Sequence, residues 1–154
     1  MTHLDSTDLN ILNILQTDAY ATNKEIAGKL NMTPTPVFER VKRLEREGYI
    51  QRYVALLDRK KLGLMVVAYC NVQLKEHSTP FLEKFEQDVQ TLEEVQEVFH
   101  IAGNYDYLLK VVVSDMDAYQ AFVSQRLAAL DNIGRVQSSF VMKEIKQSTI
   151  LKMR

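Results

Sequence analysis

Apolar residues recur at helical spacing through the first 45 positions and in strand-like runs through most of the remaining chain. Leu9, Leu12 and Leu15 repeat at i+3, with Ile11 and Ile14 beside them, and predict a first helix. Asp5 is placed to cap it, with Asp8 at the third helical position. Thr22 followed three residues later by Glu25 has the spacing of a capping box. Ile26, Ala27 and Leu30 give the second helix one apolar stripe, and Asn31, Met32 and Thr33 make a tight turn. The run TPTP then opens a third helix, since proline is tolerated in a first turn. Thr33 and Thr35 both fit as its cap, and Gly48 sits where a C′ glycine belongs. The apolar, β-branched run Tyr49–Leu57 reads as a strand, either a wing or an exit from the domain. Asp58–Leu62 interrupts it, and Gly63 marks a junction.

The pattern after Gly63 differs. Met65–Leu74 is a strand, and Thr79-Pro80 opens a helix with Phe81, Leu82, Phe85 and Val89 on one face. Val95–Ile101 and Tyr105–Val113 are two further strands. Ser114 with Asp117 has capping-box spacing and opens a helix carrying Met116, Tyr119, Phe122, Val123, Leu127 and Leu130. Arg135–Ile145 is the last strand. The order βαββαβ predicts a ferredoxin-like sheet with both helices on one face. The fold class is therefore α+β: a winged helix-turn-helix domain over residues 1–52, a linker over 53–62, and a ferredoxin-like domain over 63–154. The runs MVVAY and LLKVVV are expected to leave Val and Ile on the open sheet face, which predicts a dimer packed sheet to sheet.

Projected at about 100° per residue, the third helix divides cleanly. Val37, Val41 and Leu44 fall on one side. Thr35, Glu39, Lys42, Arg43 and Arg46 fall on the other, with Arg40 on the flank. An apolar back and a cationic, polar front suit a helix that enters the major groove of DNA. A plain solvated helix would also carry mixed charge; the short helix and turn before this one favour DNA. Formal net charge is −1, so the distribution matters more than the total. Residues 1–62 hold 10 Lys and Arg against 8 Asp and Glu, and residues 63–154 hold 9 against 12. Such a weak basic excess suits a binder that adds phosphate contacts across subunits.

The stretch LNMTPTPVFERVKRLEREGYIQRYVALLD resembles the DNA-binding half of the Lrp/AsnC family, the leucine-responsive and asparagine-responsive regulators of bacteria and archaea. The likeness continues through YDYLLKV and VMKEIKQS and spans about Leu4 to Ile150. It implies sequence-specific regulation of transcription on double-stranded DNA, tuned by an amino-acid effector of the leucine type. It also implies homodimers, which in this family often stack into octameric rings. A G-x-x-D loop lines the effector pocket between neighbouring dimers of the family. The matching residues here are Gly103 and Asp106, with Asn104 and Tyr105 between them. Many relatives carry Asp at the position of Asn104, which leaves the effector's identity open. From the residues alone, the loop His100–Leu109 is an ordinary Gly-Asn hairpin.

No catalytic or metal-ligand constellation accompanies these features. His3, His77 and His100 are scattered, without H-E-x-x-H or C-x-x-C spacing, and there is no Gly-rich phosphate loop. The reading is accordingly not an enzyme, with no cofactor or metal beyond the effector. The single Cys70 and the lack of a signal sequence or membrane-length apolar run suit a cytoplasmic protein. Two rival readings are a nucleoid-organising protein that wraps DNA, and an amino-acid-handling enzyme with a binding appendage.

Overall fold

The computed structural model describes residues 3–153. The chain forms two compact units. One takes the chain as far as Leu56 and again from Lys146; the other is Leu57–Ile145. The tail thus joins the helical unit, whereas chain order alone assigned everything after residue 63 to the sheet.

In the helical unit, α1 is Ser6–Thr17, α2 is Asn23–Leu30 and α3 is Pro34–Arg46. The caps expected at Asp5 and Thr22 both form as capping boxes. Asp5 accepts from the Asp8 N–H at 2.8 Å, and Asp8 accepts from the Asp5 N–H at 3.1 Å. Thr22 and Glu25 reciprocate in the same way before α2. Asn31 ends α2 in the left-handed region, at φ 54°, which asparagine tolerates. Thr33 is the cap residue of α3 by backbone geometry, although its side chain makes no capping bond. Ile11, Leu15, Ile26, Ala27, Val37, Val41 and Leu44 form the core of this unit. The tail is tied to α1 by a pair of bonds: the Leu151 N–H donates to Gln16 at 2.8 Å, and Gln16 donates to the Leu151 carbonyl at 2.9 Å.

The strand expected over Tyr49–Leu57 does not form; residues 51–58 carry no ladder. Strand propensity needs a neighbouring strand to bond to, and this segment has none among the described residues. Its side chains stay exposed, with Val54 at 60% and Leu56 at 73%.

In the second unit, β1 is Val66–Leu74, α4 is Thr79–Val89, β2 is Val95–His100, β3 is Tyr107–Val113, α5 is Met116–Ala121 and β4 is Ile133–Phe140. The sheet order is β2-β3-β1-β4 with every pairing antiparallel, the expected ferredoxin-like arrangement. Ala68, Cys70, Val72, Leu109 and Val111 alternate onto one sheet face, where Phe85, Val89, Tyr119, Phe122 and Leu127 cover them.

Four details differ from the sequence-based expectation. The last strand stops at Phe140, and Ile145 is 82% exposed. β3 starts at Tyr107, because residues 101–106 are held as a loop. Asp115, not Ser114, caps α5 by accepting from the Ala118 N–H at 2.8 Å. The Ser114 hydroxyl donates to that same carboxylate, the stronger acceptor of the two. Finally, the open sheet face is mixed. Val67 and Val112 alternate onto it but are buried, and Lys110 pairs with Glu97 across it at 2.7 Å.

The caps carry a pH signature. The Asp8 N–H and then Arg40 hold Asp5 below its unfolded value of 3.8. The Thr22 N–H and hydroxyl hold Glu25 below 4.5. A carboxylate lowered in the folded state adds stability above its unfolded pKa, and that stability is lost as pH falls through the folded value. Circular dichroism from about pH 5 to 2 should therefore show a shallower acid loss of helix in the Asp5→Asn, Glu25→Gln double variant than in the native chain. Parallel acid limbs would show that the caps add no pH-dependent stability.

Candidate nucleic-acid interface and effector loop

Helix α3 buries Val37, Val41 and Leu44 and exposes Thr35, Phe38, Glu39, Lys42 and Arg46. The structure places Arg40 and Arg43 elsewhere. Both were expected to serve the DNA face, yet both reach back to α1. Arg40 Nη1 lies 2.8 Å from Asp8 Oδ1 and 2.6 Å from Asp5 Oδ2. Arg43 Nη2 lies 2.5 Å from Asp8 Oδ2. Asp8 is 1% exposed, so its carboxylate is almost wholly removed from water. A carboxylate buried that deeply needs compensating cations, and the two guanidinium groups supply them. Asp5 and then Asp8 raise the Arg40 pKa further by accepting its hydrogen bonds. Each guanidinium side chain keeps 28% exposure.

The sequence held a signal for this network. Asp8, Ile11 and Leu15 are the buried positions of α1, so Asp8 lies on the apolar stripe itself. An acid in such a stripe calls for a buried partner. Read only as a capping residue, Asp8 left its partners unidentified.

Lys42 stays at the surface. Its Nζ is 2.7 Å from Glu45 and 6.0 Å from the centre of the Phe38 ring. The pair with Glu45 is an exposed i,i+3 contact, weak enough to be exchanged for another anion.

The Gly103–Asp106 loop links β2 to β3. Gly103 sits at φ +140°, a conformation side chains disfavour, and Asn104 is exposed beside it. The Tyr105 hydroxyl donates to Gln137 on β4. Asp106 ties neighbouring segments together. Its Oδ2 accepts from the Leu74 N–H at the end of β1 at 2.7 Å, and its Oδ1 lies 3.0 Å from His77 Nε2. The backbone joins in: the Asp106 N–H donates to the Val72 carbonyl at 2.9 Å, and Ile101 donates to the Asp106 carbonyl at 2.8 Å. His77 is a site neighbour that sequence reasoning missed, because 29 residues separate it from Asp106. The segment carrying His77 is fastened from the other side by Asn132, which exchanges two bonds with the Glu76 backbone at 2.9 and 2.8 Å.

Among the described residues, no group of three or more His, Cys, Asp or Glu side chains is placed to hold a metal. Cys70 is buried with its Sγ 2.9 Å from the Tyr119 hydroxyl, and burial raises its pKa away from the thiolate range. No described helix is long and apolar enough to cross a membrane.

Comparison with known proteins matches two families along the chain. Residues 67–151 match the Lrp/AsnC ligand binding domain family, and residues 4–51 match a winged helix-turn-helix DNA-binding family. The leucine-responsive regulatory protein of Escherichia coli K12 is 40% identical over 148 residues, covering 96% of this chain and 90% of that protein. The crystal structure of a transcriptional regulator of Neisseria meningitidis in complex with L-Met superposes with TM-score 0.93 at 35% identity, covering 97% of each chain. An AsnC family transcriptional regulator from Agrobacterium tumefaciens gives TM-score 0.92 at 37% identity, again over 97% of each chain.

The buried network predicts a stability effect. Asp8→Asn keeps the shape but removes the carboxylate charge facing Arg43 and leaves Arg40 with Asp5, both cations being part-exposed, so unfolding free energy should fall by about 1–3 kcal/mol, below the loss for a fully buried pair. Asp8→Asn with Arg43→Met should recover part of that loss. Chemical denaturation checks this, and a fully additive double variant would show that Asp8 and Arg43 are not coupled.

Proposed function

The chain belongs to the Lrp/AsnC family of transcriptional regulators, and from that premise we propose how this particular chain binds DNA and senses its effector. It is a DNA-binding regulator with an amino-acid-responsive domain. The observation that carries the DNA-reading proposal is the exposed front of α3, the second helix of the helix-turn-helix. Thr35, Glu39, Lys42 and Arg46 remain on it, while Arg40 and Arg43 are held against Asp8. Lys42 and Arg46 then supply phosphate contacts, and Thr35 and Glu39, nearer the helix N-terminus, face base edges. Arg40 and Arg43 act by fixing the angle of the helix.

The effector proposal rests on Asp106. Its carboxylate has about four acceptor sites, and Leu74 and His77 use only some of them. The α-ammonium of a free amino acid fits there, with His77 giving way and Gly103, Asn104 and Tyr105 lining the approach. A single hairpin cannot surround a ligand, so the pocket is completed by a second subunit. Homodimers agree with the exposed apolar residues Tyr53, Val54, Leu56 and Leu57, and octamers with the habit of the family. The protein works in the cytoplasm, and the effector is leucine, methionine or another small apolar amino acid. The relatives that this chain resembles are transcriptional regulators, and the chain is read as a regulator and not an enzyme.

Two experiments test these roles. Affinity for a selected duplex, measured against salt, should lose about one unit of slope for Lys42→Ala or Arg46→Ala. Arg43→Ala should leave the slope unchanged; a drop of one unit there would return Arg43 to the interface. In calorimetry against L-Leu and L-Met, Asp106→Asn should weaken binding roughly 10- to 100-fold, the worth of one charge-assisted bond. Full affinity and an unchanged DNA response would move the effector to another site.

A further inference from the structure

The exposed front of α3 also holds one large apolar side chain that the roles above leave unused. Phe38 is 47% exposed there. It stands between Thr35 and Lys42 at i−3 and i+4, within the second helical turn, the part of a recognition helix that meets base edges. A phenyl ring offers no hydrogen bond to a base or a phosphate. The one apolar feature that base pairs present in the major groove is the thymine C5-methyl group.

The neighbours of Phe38 point the same way. Arginine is the usual reader of guanine through O6 and N7. The two arginines nearest Phe38 along the helix, Arg40 and Arg43, are both held by Asp8. The N-terminal half of the face is therefore left with Thr35, Phe38 and Glu39, and none of these is a cation that would prefer guanine. The Lys42 ammonium lies 6.0 Å from the ring centre, near enough to carry a phosphate contact beside a base that the ring touches.

We propose that Phe38 is a specificity-determining residue that packs on a thymine methyl group in each half-site, biasing this chain toward A·T pairs under the recognition helix. The proposal rests on the DNA-binding reading above, and its test separates the two.

The full-length chain is used to enrich duplexes from a randomised pool. Each thymine of the enriched duplex is then replaced singly by deoxyuridine, which removes only the methyl group. At one thymine per half-site the native chain should bind about fourfold more weakly, the worth of one buried methyl. Phe38→Ala should bind the thymine and deoxyuridine duplexes equally, and Phe38→Leu should keep most of the difference. Phe38 is surface-exposed, and unchanged thermal unfolding of both variants confirms that they fold. An enriched duplex that tolerates deoxyuridine at every position overturns the Phe38 assignment and leaves DNA binding intact. A Phe38→Ala variant that keeps the full deoxyuridine penalty overturns it in the same way. Failure to enrich any sequence would overturn both readings together.

Discussion

A single buried carboxylate governs the DNA-binding unit. Asp8 lies in the apolar stripe of α1 at 1% exposure, beside Ile11 and Leu15. A charge in that position is tolerable only with cations against it. Arg40 and Arg43 provide them, and this fastens α1 to α3 across more than thirty residues of sequence. The same contacts also decide the chemistry of the opposite face. Two arginines are turned toward Asp8, and Thr35, Phe38, Glu39, Lys42 and Arg46 stay exposed on the face that we propose meets the groove. In the proposed DNA-binding role, one buried side chain thus bears on both stability and recognition.

Asp106 has a comparable place in the sheet unit. It accepts the last N–H of β1 from Leu74, faces His77, and anchors the turn into β3. The segment carrying His77 is held from its far side by Asn132. If Asp106 holds the effector as proposed, binding there would reach the end of β1 through Leu74 and the β2–β3 loop through the Asp106 backbone.

The features legible in the sequence were local ones. The caps at Asp5 and Thr22, the turn beginning at Asn31, the glycine after α3 and the βαββαβ order follow from local patterns; the Ser114–Asp117 box did not form. The features missed were those in which one residue acts on a distant one. Asp8 was read as a cap because its arginine partners lie far along the chain. His77 had no visible role until the fold brought Asp106 to it. The segment Tyr49–Leu57 has strand composition but no strand beside it, and composition cannot supply a partner. Phe38 was passed over because a helix sorted by polarity draws attention to charge, and its exposure became plain only once Val37 and Val41 were seen to fill the core on their own.

In the proposed function, the chain places α3 in the major groove at discrete sites, as a symmetric pair. Hydroxyl-radical footprinting of the full-length protein on an enriched duplex tests it most directly. The account predicts two short protected patches on one face of the duplex, with centres about 34–36 Å apart or a whole multiple of that distance. Continuous protection that ignores sequence, with no spacing tied to the helical repeat, would contradict it and favour a protein that wraps DNA without reading it.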